Sequence, residues 1–193
     1  MKMPTFRNGY ILSLPGFGKL STIIIGLIVL IIGLRSHYQS AWTDSKYYKV
    51  CEIYILHYTY QEPCPSIGME RYYVAVIILC FILSIIGTIL SVSLVNPYLT
   101  VFWIVDLVYH ILASLLLIVA AVLYLVSAVQ INNHPLANDD AIKLPPGFIK
   151  FDDTEVFLSK QKIYAAGLTF VQALFYIIVA LLIKRGRSKS LQE

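Results

Sequence analysis

Residues 72–105 read YYVAVIILCFILSIIGTILSVSLVNPYLTVFWIV, and no charged residue occurs between Arg71 and Asp106. A helix needs about 20 mostly apolar residues to cross the ~30 Å hydrocarbon core of a bilayer, so this stretch is too long for one crossing. Asn96-Pro97 divides it, because proline removes a hydrogen-bond donor and pushes the preceding residue out of the helical region. The stretch therefore predicts two membrane helices joined by a short turn.

The chain has a further apolar segment on each side of this pair, which predicts four spans in total. Lys19 and Arg35 bracket the first segment, and both side chains are expected to extend toward the membrane boundaries. No small-residue cleavage pattern follows this segment, which favours a retained helix over a secretory signal peptide. The predicted spans are residues 17–34, 72–95, 98–130 and 163–183.

The composition is that of a membrane protein. Hydrophobic residues make up 58% of the 193 residues and charged residues 13%, whereas about a quarter of a soluble domain is charged. The net charge of +4 arises at the two ends of the chain, and the intervening loops are balanced or acidic, so no nucleic-acid partner is expected. We predict an all-α integral membrane protein.

The basic residues at both ends predict the orientation of the chain. An even number of spans places both termini on one side of the membrane, and cytoplasmic segments carry an excess of Lys and Arg. We therefore predict a cytoplasmic tail over residues 1–16, a four-span domain over residues 17–183 and a basic cytoplasmic tail over residues 184–193. Residues 35–71 and 131–162 then form the outer loops.

The first outer loop contains two cysteines and a run that favours β-structure. Cys51 and Cys64 would face an oxidising compartment, where a disulfide is expected and reduced thiols are the alternative. Residues 49–60 (KVCEIYILHYTY) are rich in β-branched and aromatic residues, which suits a short strand or hairpin or a segment lying on the membrane surface. Cys80 lies in the second span and is expected to be a small buried hydrophobic residue.

Small residues recur at a spacing of seven in all four predicted spans. Such residues mark close helix contacts in a bilayer, and a seven-residue repeat keeps one stripe facing a partner in a left-handed bundle. We therefore predict a left-handed four-helix bundle. The predicted packing residues are Gly26, Gly33, Ser84, Ser91, Ala113, Ala120, Ser127, Ala166, Ala173 and Ala180.

Three polar residues within the predicted spans are candidates for function. Asp106 and His110 are four residues apart on one helix face and within hydrogen-bonding reach, and Asp106 lies seven residues before Ala113. Gln172 lies near the middle of the fourth span and needs a hydrogen-bond partner. A structural role between helices is the preferred interpretation, and proton or ion handling is the alternative.

The sequence contains none of the common motifs of membrane enzymes. No CxxC, glycine-rich phosphate loop or GxSxG nucleophile motif occurs, and the four histidines are scattered. Asp106 and His110 form the only candidate acid–base pair, and no third group is evident. We therefore predict a protein that is not an enzyme and has no cofactor or metal.

Residues 105–113 read VDLVYHILA and contain the pattern D-x-x-Y-H-x-x-A. This third span resembles that of MARVEL-domain proteins, especially the group of the myelin-and-lymphocyte protein and plasmolipin. Leu14-Pro15-Gly16 before the first span is similar to that group, as are Ala173-Leu174-Phe175-Tyr176 and the closing Lys184-Arg185 of the fourth span.

The resemblance implies a non-enzymatic membrane-organising protein of the plasma membrane or trafficking vesicles, acting in membrane apposition, vesicle trafficking or cell-junction assembly. The implied partners are membrane lipids of cholesterol-rich domains, other membrane or junction proteins, and further copies of the chain. The long loop with Cys51 and Cys64 departs from the group and makes a claudin-like cell–cell junction protein the first alternative. A small channel or transporter using Asp106, His110 and Gln172 is the second.

Overall fold

The computed structural model contains four long helices and describes residues 13–40, 64, 66–93, 101–133 and 153–190. In chain order the helices are α1 (Leu14–Tyr38), α2 (Ile67–Ser93), α3 (Phe102–Asn133) and α4 (Asp153–Ser190). All four contain segments that are long and apolar enough to cross a membrane. The prediction of an all-helical, four-span membrane protein is confirmed at this level.

The first helix begins at a capping site that the sequence supplies. Ser13 Oγ accepts a hydrogen bond from Gly16 N at 3.3 Å, and Pro15 lies in the first turn. Serine satisfies an amide that has no partner within the helix, and proline suits this position because its fixed backbone angle is helical. α1 therefore starts at Leu14, before the predicted residue 17.

The other helices also differ from the predicted spans at their ends. α2 begins at Ile67 rather than at residue 72, and α4 begins at Asp153 rather than at residue 163. The prediction placed the span limits next to charged residues, whereas Glu70 and Lys162 lie inside these helices as partners of each other. α4 also continues to Ser190, so most of the predicted basic tail is helical.

The four helices form a ring in which each helix packs against its neighbours in sequence and α4 packs against α1. Lys19 at the start of α1 contacts Ser91 at the end of α2 and Asp106 at the start of α3, so successive helices run in opposite directions. The diagonal pairs are therefore α1 with α3 and α2 with α4. The left-handed twist of the bundle stays a prediction.

The bundle carries polar side chains inside and large apolar side chains outside. Lys162 is fully buried, whereas Leu115 of α3 is 57% exposed and Leu181 of α4 is 58% exposed. A soluble protein does not present contiguous apolar surfaces of this size to water. The arrangement requires a lipid environment around the helices.

All ten predicted packing residues lie in the interior of the bundle. Two glycines of α1 are in especially close contact with their neighbours. A Cβ atom on Gly26 would lie 2.8 Å from Gln172 Nε2, and one on Gly33 would lie 2.9 Å from Tyr73 Cε1. The absence of a side chain at these positions lets α1 approach α2 and α4 closely.

We expect Gly33→Ala to destabilise the bundle by about 1–3 kcal/mol, the usual effect of overpacking. The new methyl group would also meet Ile77 Cδ1 at 3.1 Å. Tyr73 cannot easily move aside, because its ring stacks on Tyr124 with the ring centroids 3.8 Å apart. Gly87→Ala is the matched control, because nothing lies within 4 Å of a Cβ atom there. Thermal unfolding in mild detergent compares the two variants, and equal unfolding temperatures would contradict the close approach of α1 and α2.

Most of the first predicted outer loop lies outside the described residues. Residues 49–60, with their predicted strand, and Cys51 belong to that part, so the strand and the Cys51–Cys64 disulfide stay predictions. Cys80 is a buried free cysteine in α2, as expected for a small hydrophobic residue in a span.

Candidate functional site

A column of polar side chains runs along the interior of the bundle from one end to the other. Charged groups lie at its two ends, and neutral hydroxyl groups lie between them. We define the Asp106 cluster as Lys19, Ser91, Asp106 and His110. We define the Glu70 cluster as His37, Ser40, Glu70, Ser127 and Lys162.

The Asp106 cluster joins α1, α2 and α3. Lys19 Nζ donates to Asp106 Oδ2 at 2.5 Å and to Ser91 Oγ at 2.6 Å. His110 Nδ1 lies 2.7 Å from the carbonyl oxygen of Asp106 and 3.3 Å from its Oδ1. Both of these oxygens are acceptors, so Nδ1 carries the proton. Asp106 and His110 thus lie as close together as their spacing predicts, and Lys19 is their third partner.

The burial of Lys19 differs from the sequence-based expectation. Its side chain is 1% exposed, so it turns into the bundle near the membrane boundary instead of extending outward as predicted. Arg35 at the other end of α1 is exposed, and its Nε donates to Gln39 Oε1. A carboxylate on another helix explains the difference, because it gives the ammonium group a partner inside the bundle. Lys19 lies seven residues before Gly26, a spacing that could have placed it on the buried stripe.

The Glu70 cluster connects all four helices through one carboxylate. Glu70 Oε1 accepts from Lys162 Nζ at 2.7 Å and from Ser127 Oγ at 3.0 Å, and Oε2 accepts from His37 Nδ1 at 2.9 Å. Lys162 Nζ also donates to Ser40 Oγ at 3.1 Å. Glu70 is therefore bonded to α1, α3 and α4 from its own position on α2.

Sequence reasoning missed the two principal charges of this cluster. The predicted outer loops included Glu70 and Lys162, but both lie in helices and are no more than 2% exposed. The seven-residue spacing of buried residues could have placed both side chains in the interior. Glu70 lies two repeats before Ser84, and Lys162 lies one repeat before the buried Thr169.

The next level of the column, beyond the Asp106 cluster, is a group of three hydroxyls that we call the Ser84 triad. Ser84 Oγ of α2 is hydrogen-bonded to the hydroxyls of Tyr109 on α3, at 2.9 Å, and Tyr176 on α4. Tyr109 also donates to the carbonyl oxygen of Cys80 at 2.8 Å. Neutral bonds of this kind in a bilayer contribute about 0.6 kcal/mol on average and at most about 1.7 kcal/mol.

A pair of stacked tyrosines separates the Ser84 triad from the Glu70 cluster. The rings of Tyr73 on α2 and Tyr124 on α3 are parallel within 1°, with their centroids 3.8 Å apart. The Tyr73 hydroxyl is bonded to Thr169 on α4 at 3.0 Å, and the Tyr124 hydroxyl is bonded to Ser36 on α1 at 2.7 Å. This pair therefore also reaches all four helices.

Gln172 lies in the interior on α4 and is 1% exposed. Its amide nitrogen faces Gly26, but its carbonyl oxygen has no hydrogen-bond partner among the described residues. The side chain also hydrogen-bonds with Tyr176, so only its carbonyl oxygen lacks a partner in that part of the chain.

The two ion pairs cross the bundle on its two diagonals. Lys19–Asp106 links α1 to α3, and Glu70–Lys162 links α2 to α4. Lys19 and His37 are 18 residues apart on one helix, or about 27 Å at ~1.5 Å per residue, close to the ~30 Å thickness of the hydrocarbon core. The two clusters therefore lie near opposite boundaries of the membrane.

The charged side chains of both clusters cross-link helices. Each buried carboxylate is already neutralised by a lysine of another helix, so neither has a free charge for a passing cation. Within the described ranges, no group of three or more His, Cys, Asp or Glu residues could hold a metal ion. The contacts of both clusters are those of side chains that hold helices together.

A comparison of this chain with protein-family models, curated proteins and solved structures finds no match. The resemblance to MARVEL-domain proteins therefore rests on its sequence motifs. The residues of the D-x-x-Y-H-x-x-A motif all face the interior. Asp106 and His110 belong to the Asp106 cluster, Tyr109 belongs to the Ser84 triad, and Ala113 is buried.

Proposed function

We propose that this protein is a non-enzymatic membrane-organising scaffold. The observation that carries the proposal is that the buried charges of both clusters bond to one another across the diagonals of the bundle. Side chains used in this way keep four helices in one fixed arrangement. The apolar outer faces of the helices and the connecting loops are then the surfaces through which the protein acts.

The finer role that we propose is membrane apposition, vesicle trafficking or cell-junction assembly, with both termini in the cytoplasm. Its support is the resemblance of the third and fourth spans to MARVEL-domain proteins, whose motif residues here hold the bundle together. The partners proposed on the same ground are membrane lipids, including those of cholesterol-rich domains, other membrane or junction proteins and further copies of the chain. A Cys51–Cys64 disulfide would fix the first outer loop, and it too is part of the proposal.

We expect the full-length protein, tagged at its C-terminus, to stain the plasma membrane and vesicles equally in sparse and confluent cells. A protein that organises lipids needs no contact with a neighbouring cell. A Cys51→Ser variant serves as the matched control, because a scaffold of this kind should keep its distribution without the disulfide. Enrichment at cell–cell contacts only on confluence, lost in Cys51→Ser, would instead favour the claudin-like alternative.

The transporter alternative draws on one observation, the carbonyl oxygen of Gln172, which is buried and has no hydrogen-bond partner among the described residues. Vesicles that contain the purified protein distinguish it from the scaffold. A scaffold leaves proton and cation uptake at the level of empty vesicles. Uptake that is lost in Asp106→Asn while the variant stays folded would support the transporter.

A further inference from the structure

A groove of about 530 Å³ lies on the outer surface between α3 and α4. Its wall on α3 is a single apolar face that follows the helix from Trp103 to Ile118, and Ile177 and Leu181 form the opposite wall on α4. The groove is open between these walls because the residues at its floor, Ser114 and Ala180, have small side chains. The side chains on both sides are turned outward, as the exposed fractions of Leu115 and Leu181 show, so the groove opens toward the bilayer.

The groove is long enough for one acyl chain. Ile118 lies 15 residues after Trp103, or about 22 Å along α3 at ~1.5 Å per residue, and one leaflet contributes about 15 Å, half of the hydrocarbon core. An apolar groove that faces a bilayer is filled by hydrocarbon, because an empty space would lose its dispersion contacts. Which lipid the groove prefers then depends on the charge at its ends.

The end of the groove at Trp103 is basic and lies near the membrane boundary. Lys184 lines the groove there, is exposed and has no ion-pair partner among the described residues. The guanidinium group of Arg187 lies 5.5 Å from the centroid of the Trp103 ring, which adds a second positive charge beside the same opening. Tryptophan is itself favoured at the level of lipid head groups.

We propose that this groove binds an anionic phospholipid, with one acyl chain along α3 and the phosphate at Lys184. The charge at the opening complements a negatively charged head group, and the apolar walls complement the chain. A basic residue near the surface of an anionic leaflet favours such lipids. The inference rests on the proposed membrane-organising role for its biological use, but the lipid contact is tested separately from that role.

Fluorescence of Trp103 reports directly on the groove. The chain has two tryptophans, so Trp42→Phe leaves Trp103 as the only one. This protein is reconstituted in phosphatidylcholine vesicles with increasing fractions of phosphatidylserine or phosphatidylcholine that carry brominated chains, which quench tryptophan on contact. We expect phosphatidylserine to reach Trp103 with about fivefold higher relative affinity, the order of magnitude for one basic residue at a membrane surface.

Variants of neighbouring basic residues make the test specific. Lys184→Gln should lower the ratio of the two lipids to the smaller value that Arg187 alone supports, and Lys184→Arg should preserve it. Arg185→Gln is the matched control, because Arg185 is also exposed but does not line the groove. Equal quenching by both lipids in the parent protein would overturn the proposal.

If Arg185→Gln lost as much of the preference for phosphatidylserine as Lys184→Gln does, the proposal would be overturned too, since the preference would then come from a diffuse basic surface. Weak quenching by both lipids would also overturn it, since it would show that a second copy of the chain covers the groove.

Loss of the lipid preference and failure of the proposed function are distinguishable. The quenching experiment uses purified protein in vesicles, whereas the scaffold role is judged from distribution in cells and from ion uptake. A parent protein without lipid preference that still organises membranes would overturn only the inference about the groove.

Discussion

Glu70→Gln is expected to destabilise the protein by about 3–5 kcal/mol, the usual result of removing one partner from a buried ion pair. The substitution keeps the shape of the side chain and removes its charge. Lys162 would then be a fully buried ammonium group without its counter-charge, left with neutral acceptors such as Ser40 Oγ and the new amide oxygen. Lys162 lies in the third turn of α4, well inside the helix, so it cannot readily turn outward to water.

Unfolding of the purified protein by a titrated denaturing detergent measures this effect. Lys162→Met should cost less than Glu70→Gln, because Glu70 keeps His37 and Ser127 as donors. Lys160→Met is the matched control, since Lys160 lies on the same helix and is exposed. An effect of Glu70→Gln no larger than that of Lys160→Met would contradict the structural role of the cluster.

Asp106→Leu is expected to destabilise the bundle by about 3 kcal/mol, at the lower end of the same range. It removes the carboxylate that neutralises Lys19 and leaves His110 with only the backbone carbonyl of residue 106. The effect should be smaller than that of Glu70→Gln, because Lys19 lies in the second turn of α1 and its long side chain can turn toward the membrane boundary.

The double variant Lys19→Met/Asp106→Leu provides the critical comparison. It removes both charges and leaves none unpaired, and replacement of a whole buried ion pair by apolar residues is often neutral or stabilising. We therefore expect the double variant to unfold close to the wild-type midpoint in the same titration. If it is less stable than Asp106→Leu alone, the pair does not act as a cross-link between α1 and α3.

The long apolar segments of the sequence were sufficient to predict the architecture. The uncharged stretch between Arg71 and Asp106, interrupted by Asn96-Pro97, predicts two helices, and the structure has α2 and α3 there. This works because a bilayer imposes both a length and a composition on each span. The seven-residue spacing of small residues likewise pointed to positions that the structure buries.

The charged residues could not be placed by the same reasoning. A lysine near the end of an apolar segment is taken as a mark of the membrane boundary, as Lys19 was, and a glutamate just outside such a segment is assigned to a loop, as Glu70 was. Whether such a residue turns inward depends on a partner of opposite charge on another helix, and these partners are 87 and 92 residues away in sequence. Nothing in a single sequence pairs residues over that distance.

The hydroxyl contacts between the two charged clusters could not be predicted from the sequence either. Tyrosines are common in membrane helices near the boundaries, so Tyr73 and Tyr124 gave no sign of a role in the interior. The Tyr73 hydroxyl reaches Thr169 and the Tyr176 hydroxyl reaches Ser84 only because α2 and α4, which are distant in sequence, meet in the interior of the bundle. Lys162, Thr169 and Tyr176 are seven residues apart on α4 and all are buried. The seven-residue spacing therefore predicts buried polar residues as well as buried small residues.

The most direct test of the central claim, that buried charges hold the four helices together, is a double-mutant cycle of Glu70 and Lys162. The unfolding free energies of wild type, Glu70→Gln, Lys162→Met and the double variant give the coupling between the two side chains. Our account predicts a coupling of about 3 kcal/mol, with the double variant more stable than Glu70→Gln alone. Additive effects of the two substitutions would contradict it, because they would show that the two charges act independently of each other.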